Sequence, residues 1–244
     1  MRKKYHFRGG VLVLALALLM TLAAPVSAAN KRDLPIYAVG RDDHVVSLSF
    51  DAAWGNEDTE ELIAILGKYG IRATFFVVGE WVDKYPESVK ALHDAGHEIM
   101  NHSDTHPHFT ALSPEEMTAE VKACSDKIEA ITGVRPELFR PPYGDYNDAV
   151  VSTLRREGYY TIQWDVDSLD WKNPGSDAIV KRVLEKTVSG SILLFHNAAE
   201  QTPAALPAII EGLQAKGFSF APISELIYRE NFEIDHAGVQ QKTT

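Results

Sequence analysis

The sequence predicts an α/β fold, a single domain built as a parallel β/α barrel, and three observations support this prediction. The 244 residues, 45% of them hydrophobic, are enough to bury one large core. Short apolar β-rich runs alternate with longer segments that carry apolar residues at helical spacing. Polar side chains follow several of these strands, and the carboxyl ends of barrel strands share the face on which active sites form.

Seven strands and six intervening helices are predicted. The strands cover residues 45–50, 73–78, 98–100, 138–139, 159–164, 192–195 and 218–221. The helices cover about residues 57–69, 81–94, 114–132, 146–157, 175–188 and 203–216. Ser113 followed by Pro114 is typical of an N-cap with proline at the first helical position. An open doubly wound sheet is the alternative, but it gathers five separated strand ends around one centre less easily.

The N-terminus has the layout of a secretion signal. Four basic residues lie among the first ten, an apolar run covers residues 11–24, and small residues precede Ala29. We expect cleavage after Ala28, which leaves a lead-in over 29–43, the main domain over 44–230 and a polar tail over 231–244. An uncleaved membrane anchor is the alternative, although the apolar run is shorter than the ~20 residues that span a bilayer. The expected location is secreted or cell-wall associated.

The charge of the chain argues against nucleic acid as a partner. Residues 1–28 carry four basic and no acidic side chains, so their removal lowers the net charge from −10 to −14. Phosphate backbones are bound by concentrated positive charge, which this composition lacks. A neutral glycan is the better match.

Two histidines and one aspartate follow the first strands of the predicted barrel. His102 and His106 lie four residues apart between a strand and Pro107, where both imidazoles can face one divalent cation. In a chain with 9 histidines this spacing alone is weak evidence, so its position at a strand end carries the prediction. Asp51 follows the strand over 45–50, although a turn or cap is the alternative role for a single carboxylate.

Three later segments add polar side chains at the same predicted face. Arg140 precedes two prolines and can pair bidentately with a carboxylate, which a structural salt bridge explains equally well. Residues 164–171 hold three acids and two tryptophans, a composition that suggests a sugar-facing wall. His196 ends a buried strand and has a side chain suited to proton transfer near neutral pH. The barrel is thus expected to gather these residues at one face: Asp51, His102, Arg140, Asp165 and His196.

Taken in order, these segments resemble the polysaccharide deacetylase family, which includes the nodulation deacetylase NodB, chitin deacetylases and peptidoglycan deacetylases. The family patterns read T-F-D-D, H-[S/T]-x-x-H, R-x-P-Y, D-x-x-D-W and L-x-H. The last four are complete here, at residues 102–106, 140–143, 167–171 and 194–196. The resemblance covers about residues 45–226 and implies a distorted seven-stranded, NodB-like parallel barrel.

The resemblance also implies a metal-assisted hydrolase that removes N-acetyl groups from N-acetylhexosamines, with cell-wall or spore peptidoglycan as the expected glycan. Asp51 would be the general base that activates the attacking water, and His196 the general acid that protonates the leaving amine. Arg140 would orient Asp51. Asp170 would hydrogen-bond His196 and tune its basicity.

The remaining roles concern the metal and the acetyl group. His102 and His106 would bind a divalent metal, with zinc as the first expectation and cobalt, nickel or manganese as alternatives. The backbone N–H of Tyr143 would help to stabilise the oxyanion. Trp171 and Leu194 would enclose the acetyl methyl group.

One position departs from the family pattern. Ala52 stands where most relatives have a second aspartate that binds the metal, a form similar to the branch that contains the sporulation deacetylase PdaB. Weaker metal binding is expected, with Asp51, Asp104 or water as substitute ligands. The alternatives to peptidoglycan deacetylation are a chitooligosaccharide deacetylase, or a weak or inactive glycan-binding homologue with a role in spore or envelope assembly.

Overall fold

A computed structural model describes Met1, Lys4 and residues 32–243. The chain divides into two units, residues 1–31 and 32–244, and the helices and strands described lie in the second. The predicted signal segment over residues 1–28 lies outside the described residues, apart from Met1 and Lys4. Among the described residues, no helix is long and apolar enough to cross a membrane.

Parallel strands form the centre of the second unit. The strands are β1 (Ala38–Val39), β2 (Val45–Ala52), β3 (Thr74–Val77), β4 (Glu98–Asn101), β5 (Leu138–Phe139), β6 (Tyr160–Thr161), β7 (Val166–Asp167), β8 (Ile192–His196), β9 (Ser219–Phe220), β10 (Phe232–Ile234) and β11 (Val239–Lys242). Seven of them form a parallel path in the order β6-β5-β4-β3-β2-β8-β7, and β9 pairs with the start of β2. Within residues 32–243, β6 and β7 end this path without pairing to each other. The predicted distorted seven-stranded parallel barrel is confirmed, as a curled half-barrel.

Among the described residues, seven helices cover the outer side of the curled sheet, and a short eighth helix adds Ile223 and Leu226 to the apolar cluster of its interior. They are α1 (Thr59–Lys68), α2 (Gly79–Lys84), α3 (Pro86–Asp94), α4 (Pro114–Thr132), α5 (Asp148–Arg156), α6 (Ser176–Lys186), α7 (Thr202–Ala215) and α8 (Ile223–Leu226). The Ser113 side chain accepts from Glu116 N and the Glu116 side chain accepts from Ser113 N, so the predicted start of α4 is confirmed as a capping box. The prediction of one helix over 81–94 is wrong, because Pro86 disfavours helical geometry at Tyr85 and starts a new helix.

The strands alternate between a helix-facing and an interior side, as their two-residue period requires. In β2, Leu48 and Phe50 join the large apolar cluster that includes residues of α1, α3 and α7, whereas Ser49 and Asp51 contact Arg140 on the other side. A second apolar cluster fills the interior, with contributions from Phe76, Met100, Leu138, Ile192 and Ile223. His102 and Arg140 follow Met100 and Leu138 by two residues, and His196 follows Ile192 by four, so all three lie on the same interior side. The alternation therefore places these polar residues at the carboxyl ends of the strands, directly above the interior apolar cluster.

The predicted strand over 159–164 is shorter than expected, because another segment takes its later backbone bonds. Ile36 donates its N–H to Thr161 O and accepts from Gln163 N, at 2.9 and 2.7 Å. Val39 N donates to Gly190 O at 2.9 Å, so the lead-in lies across the open seam of the barrel. Residues 166–167 then form the separate strand β7, which pairs with β8.

The predicted tail adds a small second sheet. β10 and β11 form an antiparallel pair, and β11 pairs in parallel with β1 of the lead-in. Gln240 is fully buried, and its side-chain amide bonds the backbone N–H and C=O of Tyr228. The predicted lead-in over 29–43 and the predicted tail over 231–244 thus pair with each other through β1 and β11.

Candidate active site

A cavity of about 610 Å³ opens at the carboxyl ends of the barrel strands. Its lining comes from the ends of β2, β7 and β8, from the loops that follow these three strands, and from the loops after β4, β5 and β6. The structure brings most of the predicted site residues to it: Asp51, His102, His106, Tyr143, Trp171, Leu194 and His196. Arg140 and Asp170, the other two, are fully buried and bond to residues of this lining.

Arg140 lies beneath the cavity and fixes the carboxylate of Asp51. Its Nη1 donates to Asp51 Oδ1 at 2.7 Å, and its Nη2 donates to Ser49 Oγ at 2.9 Å. The guanidinium also lies 4.2 Å from the ring centre of Phe76, a cation–π contact in the barrel interior. Burial raises the pKa of the Asp51 carboxyl, but the charge of Arg140 and the nearby imidazoles outweigh burial, so the net pKa lies below its ordinary value.

His102 and His106 form a pair with ring centres 4.9 Å apart. His102 Nδ1 lies 2.7 Å from the backbone oxygen of Arg140, and a carbonyl only accepts, so Nδ1 carries the hydrogen and Nε2 keeps its lone pair. Burial lowers the pKa of His102, and burial with the neighbouring His102 lowers the pKa of His106 to about 4. Both imidazoles are therefore neutral near pH 7, the state that binds metal ions.

These two imidazoles fit a divalent transition metal as a pair of nitrogen ligands, but the part of the chain that the structure describes places no third side-chain ligand with them. Ala52 is fully buried in the helix-facing apolar cluster and does not line the cavity. The Oδ2 atom of Asp51 lies 3.6 Å from His102 Nε2. Within residues 32–243, no set of three or more His, Cys, Asp or Glu side chains is arranged to hold a metal ion.

His196 faces the same cavity with its own carboxylate support. Its Nδ1 lies 2.7 Å from Asp170 Oδ1, and its backbone N–H donates to Asp170 Oδ2 at 2.8 Å. Thr202 Oγ1 and Trp171 N also donate to Asp170, at 2.7 and 2.8 Å. Burial lowers the pKa of His196, but the hydrogen bond and negative charge of Asp170 outweigh it, so the net pKa lies above its ordinary value.

Aromatic side chains form the rim of the cavity. Trp54, Tyr143 and Trp171 are 56%, 62% and 54% exposed and line the same cavity, and exposed apolar side chains grouped in this way mark binding surfaces. Tyr143 lies in the turn Pro142–Gly144 with φ of 59°, and its ring stacks on His108 at 4.2 Å between centres. The Trp54 ring centre lies 6.4 Å from that of His106 and 5.8 Å from that of His196.

Two sequence expectations about acids are wrong. Asp165 was expected at the cavity face, but its carboxylate accepts from Ser191 Oγ and Ile192 N at the start of β8, the opposite end of that strand. Asp104 was one of the alternatives for a substitute metal ligand, beside Asp51 and water, but its Oδ1 accepts from Lys127 Nζ at 2.6 Å, on the side of α4. Neither residue lines the cavity.

Sequence reasoning missed other residues of the cavity. Trp54 was not among the predicted site residues, because its exposure depends on the loop after β2. Asn197 lines the cavity, accepts from Ala53 N at 3.2 Å and donates to Gly55 O, so it ties this loop to the end of β8. The available signal was the position of Trp54, three residues after Asp51 in the loop that follows a strand with a candidate site residue at its end, since binding residues are concentrated in such loops.

The sequence comparisons identify similar proteins. The family profile described as "Polysaccharide deacetylase" matches residues 38–162. The chain is 34% identical over 193 residues to YlxY, named as uncharacterized, and 36% identical over 188 residues to the peptidoglycan-N-acetylmuramic acid deacetylase PdaC, both from Bacillus subtilis. These matches cover 79% and 77% of this chain but only 60% and 40% of the relatives. A peptidoglycan-N-acetylglucosamine deacetylase of Bacillus cereus is 35% identical, with 78% of this chain and 92% of that protein covered.

Solved structures agree in fold. BA3943 of Bacillus anthracis, a CE4 family pseudoenzyme, superposes with a TM-score of 0.77 at 36% identity, covering 80% of this chain and 69% of that one. A BA3943 mutant with restored enzymatic activity gives the same TM-score at 37% identity, with 80% and 71% covered. Bacillus subtilis PdaA, a family 4 carbohydrate esterase, gives 0.75 at 28% identity, with 79% and 84% covered.

Proposed function

The chain belongs to the polysaccharide deacetylase family, and from that premise we propose that it is a metal-assisted hydrolase that removes N-acetyl groups from N-acetylhexosamines of peptidoglycan. One observation carries the proposal. Asp51 and His196 face one cavity, and each has its own buried charged partner, Arg140 for the aspartate and Asp170 for the histidine. Relatives named as deacetylases of peptidoglycan and of chitooligosaccharides support this class of substrate.

The two residues divide the proton transfers of amide hydrolysis. Asp51, with its lowered pKa, is the base that takes a proton from the attacking water, and His196, with its raised pKa, gives one to the leaving nitrogen. A divalent metal, zinc first among the candidates, would polarise the acetyl carbonyl when bound by His102 and His106. The backbone N–H of Tyr143 supports the developing oxyanion, and Trp171 and Leu194 enclose the methyl group.

The cellular setting is part of the same proposal. Peptidoglycan lies outside the cytoplasmic membrane, so we propose that residues 1–28 direct export and that residues 44–230 form the catalytic domain of a secreted or wall-associated protein. The Ala52 form of the first motif supports placement with the PdaB-like sporulation branch and thus a spore or cell-wall glycan.

A second candidate function is a glycan-binding homologue with little or no turnover, for example in spore or envelope assembly. Ala52 supplies no metal ligand, and the similar BA3943 structure is that of a pseudoenzyme. The aromatic rim is retained in either case. Asp51 and His196 with their supports favour the active enzyme, because a site without turnover does not require two pairs of buried charges.

The test is acetate release from defined N-acetylated glycans, with muropeptides and chitooligosaccharides as parallel substrates. Metal-free protein is assayed with and without added Zn²⁺, Co²⁺, Ni²⁺ or Mn²⁺. Metal-dependent release of acetate supports the deacetylase. Tight glycan binding without acetate release under every metal supports the binding homologue.

A further inference from the structure

We propose that Glu120 is a positioning residue that holds the loop between His102 and His106 in the shape that binds the metal, an inference that rests on the proposed metal-assisted function. Glu120 lies on α4, outside the cavity, and contacts neither imidazole. Its effect passes through the loop backbone. Glu120 lies outside the segments that were matched to the family motifs, so this role adds a residue to the site described above.

The loop needs support from outside because its own conformation is costly. Ser103 and His106 both have positive φ, 73° and 60°, a region that non-glycine residues occupy only at a cost in backbone strain. The loop makes two internal contacts, Asn101 Oδ1 with Ser103 N and Ser103 Oγ with His106 N. Such a conformation persists only when the surrounding structure determines it.

The backbone N–H groups of Gly79 and Glu80 donate to Ser103 O and Asp104 O, both at 2.9 Å, and Glu120 holds the N–H side of the loop centre. Its Oε2 accepts from the backbone N–H of Asp104 at 2.9 Å and of Thr105 at 2.8 Å, and its Oε1 accepts from Thr105 Oγ1 at 2.8 Å. One carboxylate thus binds two consecutive residues between the imidazoles. Bonds from peptide N–H groups to a charged acceptor are stronger than those to a neutral one.

The helix that carries Glu120 is itself well fixed relative to β4. Its first turn is closed by the capping box, and its Val121 O and Ser125 Oγ accept from the buried Asn101 side chain at 2.7 and 2.8 Å. Lys127, about two turns beyond Glu120 on the same helix, pairs with Asp104. The helix therefore sets the loop position against the same strand that delivers His102.

The two imidazoles depend on Glu120 to different degrees. His102 is held independently, because its backbone N–H donates to Val77 O at 3.0 Å and its ring donates to Arg140 O. His106 follows the residues that Glu120 binds. Loss of Glu120 is therefore expected to loosen the position of His106 while His102 stays in place. The two imidazoles would then no longer be held at a fixed spacing.

The test compares Zn²⁺ affinity by calorimetry in the full chain and its Glu120→Ala, Glu120→Gln and Glu115→Ala variants. Glu120→Ala should bind Zn²⁺ about 10-fold or more weakly, the usual loss for a supporting residue of a metal site. Glu120→Gln keeps an oxygen that accepts from both amides, so it should recover most of the affinity. Glu115, an exposed glutamate in the first turn of the same helix, is the charge-matched control and should leave affinity unchanged.

A second measurement needs no metal. In metal-free protein, hydrogen exchange of the 104 and 105 amides should be faster in Glu120→Ala than in the Glu115→Ala control, with α4 and β4 unchanged. Equal affinity and equal exchange in Glu120→Ala overturn the role of Glu120 while the deacetylase proposal stands. A wild-type chain that binds no divalent metal overturns the metal-assisted function itself, and faster loop exchange then leaves Glu120 with a structural role only.

Discussion

Nδ1 of His196 lies 2.7 Å from Oδ1 of Asp170, and the other oxygen of the same carboxylate accepts from the backbone N–H of His196. Asp170 is fully buried, and two further donors, Thr202 Oγ1 and Trp171 N, complete its hydrogen bonds. The imidazole is thus held at both ring and backbone by one carboxylate. This arrangement leaves Nε2 directed away from Asp170 and available for proton transfer.

The first prediction concerns the pH profile. A general acid must be protonated, so activity falls as the pH rises through the pKa of His196, which Asp170 raises. Asp170→Asn removes the negative charge, lowers that pKa and moves the alkaline limb of kcat/KM to lower pH. Thr202→Val, which removes one donor to Asp170 but keeps its charge, should shift the limb much less. An alkaline limb unchanged by Asp170→Asn would mean that His196 is not the titrating acid.

The second prediction concerns the acid and the base together. Asp51→Asn and His196→Ala should each reduce acetate release by ~10²–10⁴-fold, because neither residue replaces the other in proton transfer. Asp126→Asn, at an exposed carboxylate that accepts from Lys122 and Arg135 outside the cavity lining, is the control and should keep near wild-type rates. Full activity in both Asp51→Asn and His196→Ala would refute the assignment.

The barrel was predictable because strand alternation repeats in the sequence. In β8, Leu193 and Phe195 join the helix-facing cluster, while Ile192 and Leu194 face inward and lead to His196. The same period brings Asp51 and Arg140 to the interior. Local pattern therefore sufficed for the residues that lie on or directly after strands.

The residues that were missed or misplaced depend on long-range contacts. Asp165 bonds residues 26 and 27 positions away, at the end of β8 opposite the cavity, and no local pattern indicates that choice. Ile36 forms backbone hydrogen bonds with Thr161 and Gln163, which a β6 as long as the predicted strand over 159–164 would otherwise use. Glu120 binds a loop 15 and 16 residues earlier, so its role follows only from the packing of α4 against β4.

The third prediction concerns the stability of the buried pair. Arg140→Met leaves the Asp51 carboxylate buried without its partner, which should lower the free energy of unfolding at pH 7 by about 3–5 kcal/mol, measured in urea. Adding Asp51→Asn removes the unpaired charge and should restore part of the loss. Because the folded-state pKa of Asp51 is lowered, its contribution in the wild type is present above the unfolded value and lost as the pH falls through the folded one. Additive single and double changes would contradict coupling of the pair.

The fourth prediction concerns Trp54. Its ring is 56% exposed and lies beside His106 and His196, so it can stack on a sugar held in the cavity. Trp54→Ala should weaken binding of an N-acetylated oligosaccharide about 10-fold, or ~1.4 kcal/mol, in a calorimetric titration. Trp54→Phe should keep most of the affinity. Val188→Ala, at an exposed apolar residue outside the cavity lining, should change neither binding nor stability. Unchanged affinity in Trp54→Ala would remove Trp54 from the binding surface.

The fifth prediction concerns Ala52, where the chain lacks the family's aspartate. Ala52 is fully buried in an apolar cluster, so Ala52→Asp should lower the thermal stability of the metal-free protein by placing a carboxylate there. If residue 52 occupies the family's ligand position, added Zn²⁺ should restore the stability, because binding to the folded state stabilises it by mass action. Calorimetry should then show tighter Zn²⁺ binding than in the wild type. Ala52→Asn, similar in size but uncharged, should lose stability without the same recovery. A destabilised Ala52→Asp variant with wild-type Zn²⁺ affinity would show that this side chain stays on the helix-facing side of β2 and that the two histidines alone set the affinity of the site.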